Sequence, residues 1–212
     1  MLLDECPREH RTEIVLKLAS LPRASIDSIL LSRGIDPASI ADAKAALALV
    51  RTPLAAKEAV DYSFEKHGSP PMYGTGRFGD GSAPVFYAAL AEETCRAEVA
   101  HHLRDQTALV PFPRFYHLLE CELAGIVVDL HGKEIEHPEL ISPTEDGYPF
   151  CQALAKDARK AGAHAFHTPS ARHAHGTCTP VFARSKLTGE RAAARAMFVP
   201  DSGGLRYERL PT

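Results

Sequence analysis

The chain has 212 residues, of which 45% are hydrophobic and 24% are charged, and its formal net charge is -3. This composition is that of a globular protein with one well-filled domain, and its slightly acidic balance excludes broad binding to nucleic-acid backbones. No apolar run reaches the roughly 18 residues of a membrane span, and no signal-peptide pattern is present, so we expect a cytoplasmic protein without a membrane partner. The five cysteines show no CxxC spacing, and we expect reduced thiols.

The first part of the chain shows helical patterning. Apolar residues recur at helical spacing in residues 13–21 and 25–32, and Asp36 followed by Pro37 is a typical start for a third helix over 38–50. We therefore predict a helical segment over residues 1–55. A helix-turn-helix is one interpretation, but no helix carries the Arg, Asn and Gln cluster that reads base edges. A helical cap on the following domain, or a docking surface for a partner, fits better, and we expect no nucleic-acid binding.

After a short strand predicted at residues 60–64, the chain enters a glycine-rich loop around Arg77, with glycines at positions 74, 76, 79 and 81. Such glycines let the backbone approach a ligand closely, and exposed N–H groups beside a guanidinium suit a phosphate or pyrophosphate. An ordinary surface turn is the alternative. The loop is not a dinucleotide-binding fingerprint, because a strand and not a helix follows it.

The loop leads into a predicted strand at 84–90 and a predicted helix at 91–103. The strand contains Val85, Phe86 and Tyr87, which favour β-structure. Glu98 lies directly beside the apolar stripe of the helix. A carboxylate in that position is half shielded from water, whereas most helix glutamates are simply solvated.

This arrangement resembles the RES domain, a family that consists mostly of bacterial toxins acting on NAD. The run GRF, then PVFYAAL, then AEETCRAEV is similar to the family's glycine-rich loop, strand and helix, and it supplies Arg77, Tyr87 and Glu98. Downstream, HTPSAR followed by TPVF is similar to the family's closing segment and supplies Ser170. The resemblance covers about residues 60–187.

The family also carries an arginine in an opening strand before the loop. No arginine lies between Arg51 and Arg77 in this chain. Lys57, Tyr62 and Lys66 are the candidates for its place, and an altered opening strand is the alternative.

The rest of the chain predicts short strands and one long helix. Residues 116–123 alternate as a half-buried strand, Gly125 interrupts it, and 126–130 form a second strand or a continuation past a bulge. A surface loop (131–146) and a helix (148–161) follow, and the remaining strands are predicted at 163–167, 178–183, 196–199 and 205–210.

This pattern predicts an α+β fold with mixed or antiparallel sheets in a domain over residues 56–212. The resemblance implies an ADP-ribosyltransferase-like core of two facing sheets, with the nucleotide in the cleft between them.

Four histidines fall close together, at positions 164, 167, 173 and 175. A metalloenzyme is one interpretation, since histidines at this density hold zinc or nickel. No cysteine or acid lies at a standard ligand spacing, so we expect no metal. Histidines that line the cleft near Ser170, or simple loop histidines, fit better.

The resemblance implies a toxin-like enzyme that cleaves the nicotinamide–ribose bond of NAD, as a glycohydrolase, phosphorylase or ADP-ribosyltransferase. It implies that Glu98 acts on the positive charge that develops on the ribose, by contact with the ribose hydroxyls or by polarising the acceptor, while Arg77 and Gly76 bind the pyrophosphate. Tyr87 would stack on the nicotinamide or bind the ribose, and Ser170 would bind a phosphate or the nicotinamide amide. These residues form the predicted site, with Glu98, Arg77 and Ser170 as its catalytic members.

The acceptor stays open: water, inorganic phosphate or a protein side chain would each give a different reaction. A toxin also implies an antitoxin or immunity protein as its inhibitory partner in a bacterial toxin–antitoxin pair. The alternative function is that of a degenerate, non-enzymatic RES-like module whose helical N-terminus binds a protein partner or DNA.

Overall fold

A computed structural model of the chain describes residues 2–20, 36, 39, 56–66, 71–107, 113–202 and 204–210. Its strands are β1 (Arg8–Ser20), β2 (Thr75–Gly76), β3 (Gly79–Asp80), β4 (Phe86–Ala89), β5 (Arg114–Asp129), β6 (Ala165–Pro169), β7 (Thr177–Val181), β8 (Leu187–Asp201) and β9 (Gly204–Leu210). Its α-helices are α1 (Ala56–Tyr62), α2 (Glu92–Thr107) and α3 (Tyr148–Lys160). Among the described residues, no helix is both long and apolar enough to cross a membrane.

The strands form one large sheet and one small hairpin. The large sheet has seven strands in the order β1-β4-β7-β6-β5-β8-β9, and β2 pairs with β3 separately. Strand β1 also pairs with β5, so β1, β4, β7, β6 and β5 form a closed circuit of neighbours. The pairing of β5 with β6 is parallel and the other pairings are antiparallel. The chain therefore has the predicted α+β class with a mixed sheet.

The helix predicted over residues 13–21 is wrong, because these residues lie in strand β1 up to Ser20. Each residue from Arg8 to Ser20 pairs with one on β5. Val15 on one face is fully buried and Leu18 on the other is 6% exposed. Since both faces contact the core, apolar residues occur on both of them, and the alternation that marks a half-buried strand is lost.

The strand predicted at residues 60–64 is also wrong. Helix α1 covers Ala56–Tyr62 and is followed by a turn. Its sequence, AKEAVDY, is rich in helix-favouring Ala, Lys and Glu. Val60 is the buried residue of this helix, and the partly buried Ala56 and Ala59 pack against the same apolar cluster.

Gly125 does not interrupt a strand, because β5 runs through it from Arg114 to Asp129. The alternative of a continuous strand is thus the correct one, although its irregularities lie between Leu118 and Glu122. A Cβ at Gly125 would meet the His164 ring at 3.0 Å. The glycine therefore permits a close approach of His164.

The other predicted elements agree with the structure in kind. The strand before α2, both longer helices and the strands after residue 163 are present, and residues 196–199 belong to the longer β8. The predicted surface loop 131–146 contains three short 3-10 helices, Lys133–Ile135, Pro138–Ile141 and Glu145–Gly147. The helices predicted at 25–32 and 38–50 lie outside the described residues, apart from Ser39, and the boundary at residue 55 stays a prediction.

Three apolar clusters hold these elements together. Helix α3 packs against the glycine-rich hairpin, β5 and β6 through residues such as Phe78, Leu154 and Phe166. Helix α1 covers the cluster that contains Val15 and Phe86. Helix α2 packs on β1, β8 and β9. The site described below lies where α2 meets the ends of β6 and β7.

Candidate functional site

The carboxylate of Glu98 on α2 contacts the hydroxyl of Ser170, which follows β6. Ser170 Oγ donates a hydrogen bond to Glu98 Oε1 at 2.6 Å. The same Oγ accepts the backbone N–H groups of Arg172, at 3.1 Å, and His173, at 3.0 Å. A serine hydroxyl has a single proton, and both backbone neighbours are donors, so that proton points at the carboxylate. Two of the predicted catalytic residues are thus in direct contact.

Cys178 on β7 contacts the same carboxylate oxygen. Its Sγ lies 3.4 Å from Glu98 Oε1 and donates to it. Burial, and then the charge of Glu98, raise the pKa of Cys178 well above its usual value, so the thiol keeps its proton. Both contacts are to Oε1, and in the described part of the chain Oε2 has no hydrogen-bond partner. Ser170 and Cys178 therefore hold the carboxylate of Glu98 through one of its two oxygens.

A second contact fastens the loop after Ser170 to the same helix. We call residues 170–176 the serine loop. His173 Nδ1 lies 2.9 Å from the hydroxyl of Thr94, which is fully buried one helical turn before Glu98. A Cβ at Gly176 would lie 2.6 Å from both of these polar atoms. The glycine is required there, and the serine loop is clamped to α2 at two successive turns.

The glycine-rich loop folds as a small hairpin, which we call the glycine hairpin (residues 75–80). Tyr87 supports it, because its hydroxyl accepts the N–H of Phe78 at 3.0 Å. Burial raises the pKa of Tyr87 to about 12, so this hydroxyl is neutral. Gly76 lies against the same ring, where a Cβ would come within 2.8 Å of the hydroxyl oxygen. Gln152 donates to the Gly76 carbonyl at 2.9 Å. Tyr87 and Gly76 thus fix the hairpin that carries Arg77.

The guanidinium of Arg77 binds the segment of residues 138–147, which we call the 3-10 segment. Its Nη1 donates to the carbonyl of Glu139 at 2.9 Å, and its Nη2 donates to the carbonyl of Ser142 at 2.7 Å. The ring of Tyr148 lies 5.3 Å from the guanidinium carbon. Arg77 makes these contacts with backbone oxygens, and it is not in direct contact with Glu98 or Ser170.

Arg172 connects the two groups of predicted residues. Its backbone N–H binds Ser170 Oγ, and its Nη2 donates to the carbonyl of Pro143 at 2.8 Å. Pro143 is adjacent in sequence to Ser142, whose carbonyl binds Arg77. A continuous series of contacts therefore runs from Glu98 through the serine loop and the 3-10 segment to Arg77.

The predicted residues thus form one region, and the sequence reasoning missed three of its members. Thr94, Arg172 and Cys178 were not assigned to it, whereas His173 is one of the histidines expected to line the cleft near Ser170 or to lie in a loop. Cys178 could have been found from the pairing of β6 with β7, because it pairs with Thr168, which lies two residues before Ser170. The signal for Thr94 is its place one turn before Glu98 on the same face of α2.

The four clustered histidines have separate environments. His164 accepts the N–H of Ile126 through Nδ1, His173 contacts Thr94, and His175 is exposed. His167 is 2% exposed and contacts Glu13 at 2.5 Å and Arg11 at 3.1 Å. No group of three or more His, Cys, Asp or Glu side chains with a metal-binding arrangement occurs among the described residues.

The three candidates for the place of the opening arginine lie on or after α1. Lys57 and Lys66 are exposed, and Tyr62 is 55% exposed. None of them has a hydrogen bond to Glu98, Ser170 or Arg77 in the described part of the chain. Arg51 lies outside the described residues.

Comparison with protein families finds the RES domain, whose family model matches residues 47–201 and therefore more than half of the chain. This family is generally associated with enzymatic toxins that act on NAD. The match includes Arg51 as well as Arg77, Glu98 and Ser170, and β1 lies before its start. Comparison with curated proteins gave no match.

Proposed function

The chain belongs to the RES domain family, and we propose that it is a toxin-like enzyme that cleaves the nicotinamide–ribose bond of NAD. The observation that carries this proposal is the arrangement of Glu98. Its Oε1 is held by Ser170 and Cys178, while its Oε2 has no partner among the described residues. A carboxylate fixed in this way is suited to stabilise a developing positive charge without reorganising during the reaction.

The proposed reaction develops such a charge on the ribose. The bond between ribose C1′ and the nicotinamide nitrogen breaks, and its electron pair returns to that nitrogen. The acceptor then forms a bond to C1′ and releases its proton to solvent. Glu98 would contact the ribose hydroxyls through Oε2 and stabilise the oxocarbenium-like transition state. Ser170 would fix the orientation of this carboxylate.

The glycine hairpin would hold the other end of the substrate. Arg77 is the proposed donor to the pyrophosphate, because a guanidinium binds two phosphate oxygens at once. Gly76 would allow the backbone to approach the ligand, and Tyr87 would orient the hairpin and contact the nicotinamide ribose. We propose that the core is ADP-ribosyltransferase-like, with NAD in a cleft that these elements line.

A toxin-like activity on NAD requires control, and the proposed partner is an antitoxin or immunity protein that covers this cleft. The three acceptors are water, inorganic phosphate and a protein side chain. Each leaves a different second product beside nicotinamide, so product analysis separates them.

The test is to incubate the purified protein with NAD, with and without inorganic phosphate and with an added protein extract, and to resolve the products by chromatography. Release of nicotinamide supports the proposal, and free ADP-ribose, its phosphate ester or modified protein identifies the acceptor. Intact NAD under all three conditions would contradict the proposal and favour the non-enzymatic alternative.

A further inference from the structure

We infer that Arg172 is a second pyrophosphate-binding arginine, which acts beside Arg77 in the proposed dinucleotide site. This inference rests on the proposed function. Among the described residues from α1 to the end of the glycine hairpin, Arg77 is the one arginine. Arg172 comes from a different part of the chain, the serine loop.

The first argument is the proximity of the two guanidinium groups. Arg77 donates to the carbonyl of Ser142 and Arg172 donates to the carbonyl of Pro143. These carbonyls belong to consecutive residues, whose Cα atoms are about 3.8 Å apart. The two guanidinium groups therefore bind the same short stretch of the 3-10 segment, and one pyrophosphate beside it is the ligand that we propose they share.

The second argument is charge. Most other arginines with contacts in the described part of the chain pair with carboxylates, as Arg184 does with Asp61 and Arg191 with Glu120. Arg77 and Arg172 donate to backbone carbonyls and have no ion pair there, and Arg77, which also lies against the ring of Tyr148, binds Glu139 through its carbonyl. Their positive charges are therefore not neutralised by an ion pair, and an anion is the ligand that would do so.

The third argument is the position of Arg172 relative to the reacting end of the site. Its backbone N–H binds the Ser170 hydroxyl, which itself binds Glu98. The side chain of Arg172 binds the 3-10 segment, which Arg77 also binds. This matches the layout of NAD, in which the pyrophosphate lies next to the nicotinamide ribose. Each guanidinium also keeps further N–H donors for phosphate oxygens, since Arg77 uses two nitrogens and Arg172 one.

The experiment compares two substrates that differ in the pyrophosphate. NAD contains it, and nicotinamide riboside has the same scissile bond without it. We expect Arg172→Gln to raise KM for NAD by about 10-fold or more, since a charge-assisted hydrogen bond contributes about 1.5–3 kcal/mol and each 1.4 kcal/mol is about tenfold. The kcat/KM for nicotinamide riboside should stay the same. Arg172→Lys keeps the charge but not the bidentate geometry of the guanidinium. Its KM for NAD should therefore lie between those of wild type and Arg172→Gln.

Arg8 provides the matched control, because it is an exposed arginine that also donates to a backbone carbonyl, that of Ala161. Arg8→Gln should leave both substrates unaffected, and thermal unfolding should show that all variants are folded. An unchanged KM for NAD in Arg172→Gln, or an equal loss with both substrates, would overturn the inference, because the arginine would then act only by holding the serine loop.

Failure of the inference about Arg172 can be distinguished from failure of the proposed function. If the wild-type protein releases no nicotinamide from either substrate, the proposed reaction is wrong. Calorimetric titration with ADP-ribose then tests whether Arg172 binds the pyrophosphate, independently of any reaction. Weaker binding by Arg172→Gln than by wild type and Arg8→Gln supports the inference, whereas equal binding or no binding by wild type overturns it.

Discussion

Ser170 donates its only hydroxyl proton to Glu98 across 2.6 Å, although the two residues are 72 positions apart in the chain. The contact joins the end of β6 to the middle of α2. It makes the serine a positioning residue for the carboxylate, in addition to any contact with substrate.

Replacement of Ser170 by alanine tests this relationship. We expect the kcat of NAD cleavage to fall by roughly 10-fold to 100-fold, because a hydrogen bond to a charged group contributes about 1.5–3 kcal/mol. Stability should fall by about 1 kcal/mol, since the N–H groups of Arg172 and His173 lose their acceptor. Initial rates and denaturant unfolding measure the two effects. Ser202→Ala, at an exposed position, is the control. If Ser170→Ala cleaves NAD at the wild-type rate, Ser170 does not position the Glu98 carboxylate.

The clamp between Thr94 and His173 offers a second test. Thr94→Val keeps the shape of this fully buried side chain but removes the hydroxyl that contacts His173. We expect kcat to fall several-fold, because the serine loop loses one of its two fastenings to α2. Thr94→Ser keeps the hydroxyl and should retain activity. Equal kcat values for the Val and Ser variants would show that the clamp does not position Ser170.

The strand assignment of β1 predicts a contrast between two neighbouring residues. Val15 is fully buried, whereas Ile14 on the opposite face is 47% exposed. Val15→Ala should lower the free energy of unfolding by about 2 kcal/mol, and Ile14→Ala by less than about 0.5 kcal/mol. Denaturant unfolding measures both.

The same assignment predicts the effect of truncation. A variant that starts at residue 21 loses a strand that pairs along 13 positions with β5. It should show no cooperative thermal transition, because an apolar edge of β5 becomes exposed. A truncated protein that unfolds cooperatively at the wild-type temperature would show that β1 is dispensable.

Lys17 predicts a pH dependence at alkaline pH. Its ammonium lies 4.6 Å from the centroid of the Phe86 ring, and burial lowers its pKa to about 8 from 10.5. Between pH 8 and 10.5 the unfolded chain holds this proton and the folded chain does not, so this group makes stability rise with pH. Below pH 8 the cost of the buried charge is fully present.

Lys17→Met isolates this effect, because it keeps the aliphatic stem without the charge. The variant should be more stable than wild type at pH 7, and the difference should shrink between pH 8 and 10.5. Urea unfolding at several pH values measures it. A difference that stays constant over this range would contradict the lowered pKa.

Much of the fold could be predicted where one face of an element is buried. Helix α3 has its buried residues Cys151, Leu154, Ala155 and Ala158 on one stripe, and it begins and ends close to the predicted positions. Strand β1 could not be predicted in this way, since Val15 and Leu18 are buried on opposite faces and mimic helical spacing. Gly125 resembled a strand break in the sequence. The reason for a glycine there is the close approach of the His164 ring, and that residue lies 39 positions later in the chain.

The residues of the candidate site could also be predicted only in part. Arg77, Glu98 and Ser170 could be singled out because local motifs mark them. Cys178 and Arg172 could not, because their contacts with Glu98 and Pro143 depend on how β6, β7 and the 3-10 segment come together. The support that Tyr87 gives to the glycine hairpin could not be predicted either, because its hydroxyl accepts the backbone N–H of Phe78 only in the folded chain. Its contact with the nicotinamide or the ribose stays a prediction.

The most direct test of the central claim is nicotinamide release from NAD by wild type and Glu98→Gln. The substitution keeps the shape of the side chain and removes its charge. Glu93→Gln, at an exposed position on the same helix, is the control. The account predicts a loss of about 100-fold or more in Glu98→Gln, with unchanged thermal stability and a fully active control. Release by Glu98→Gln at the wild-type rate would contradict the account.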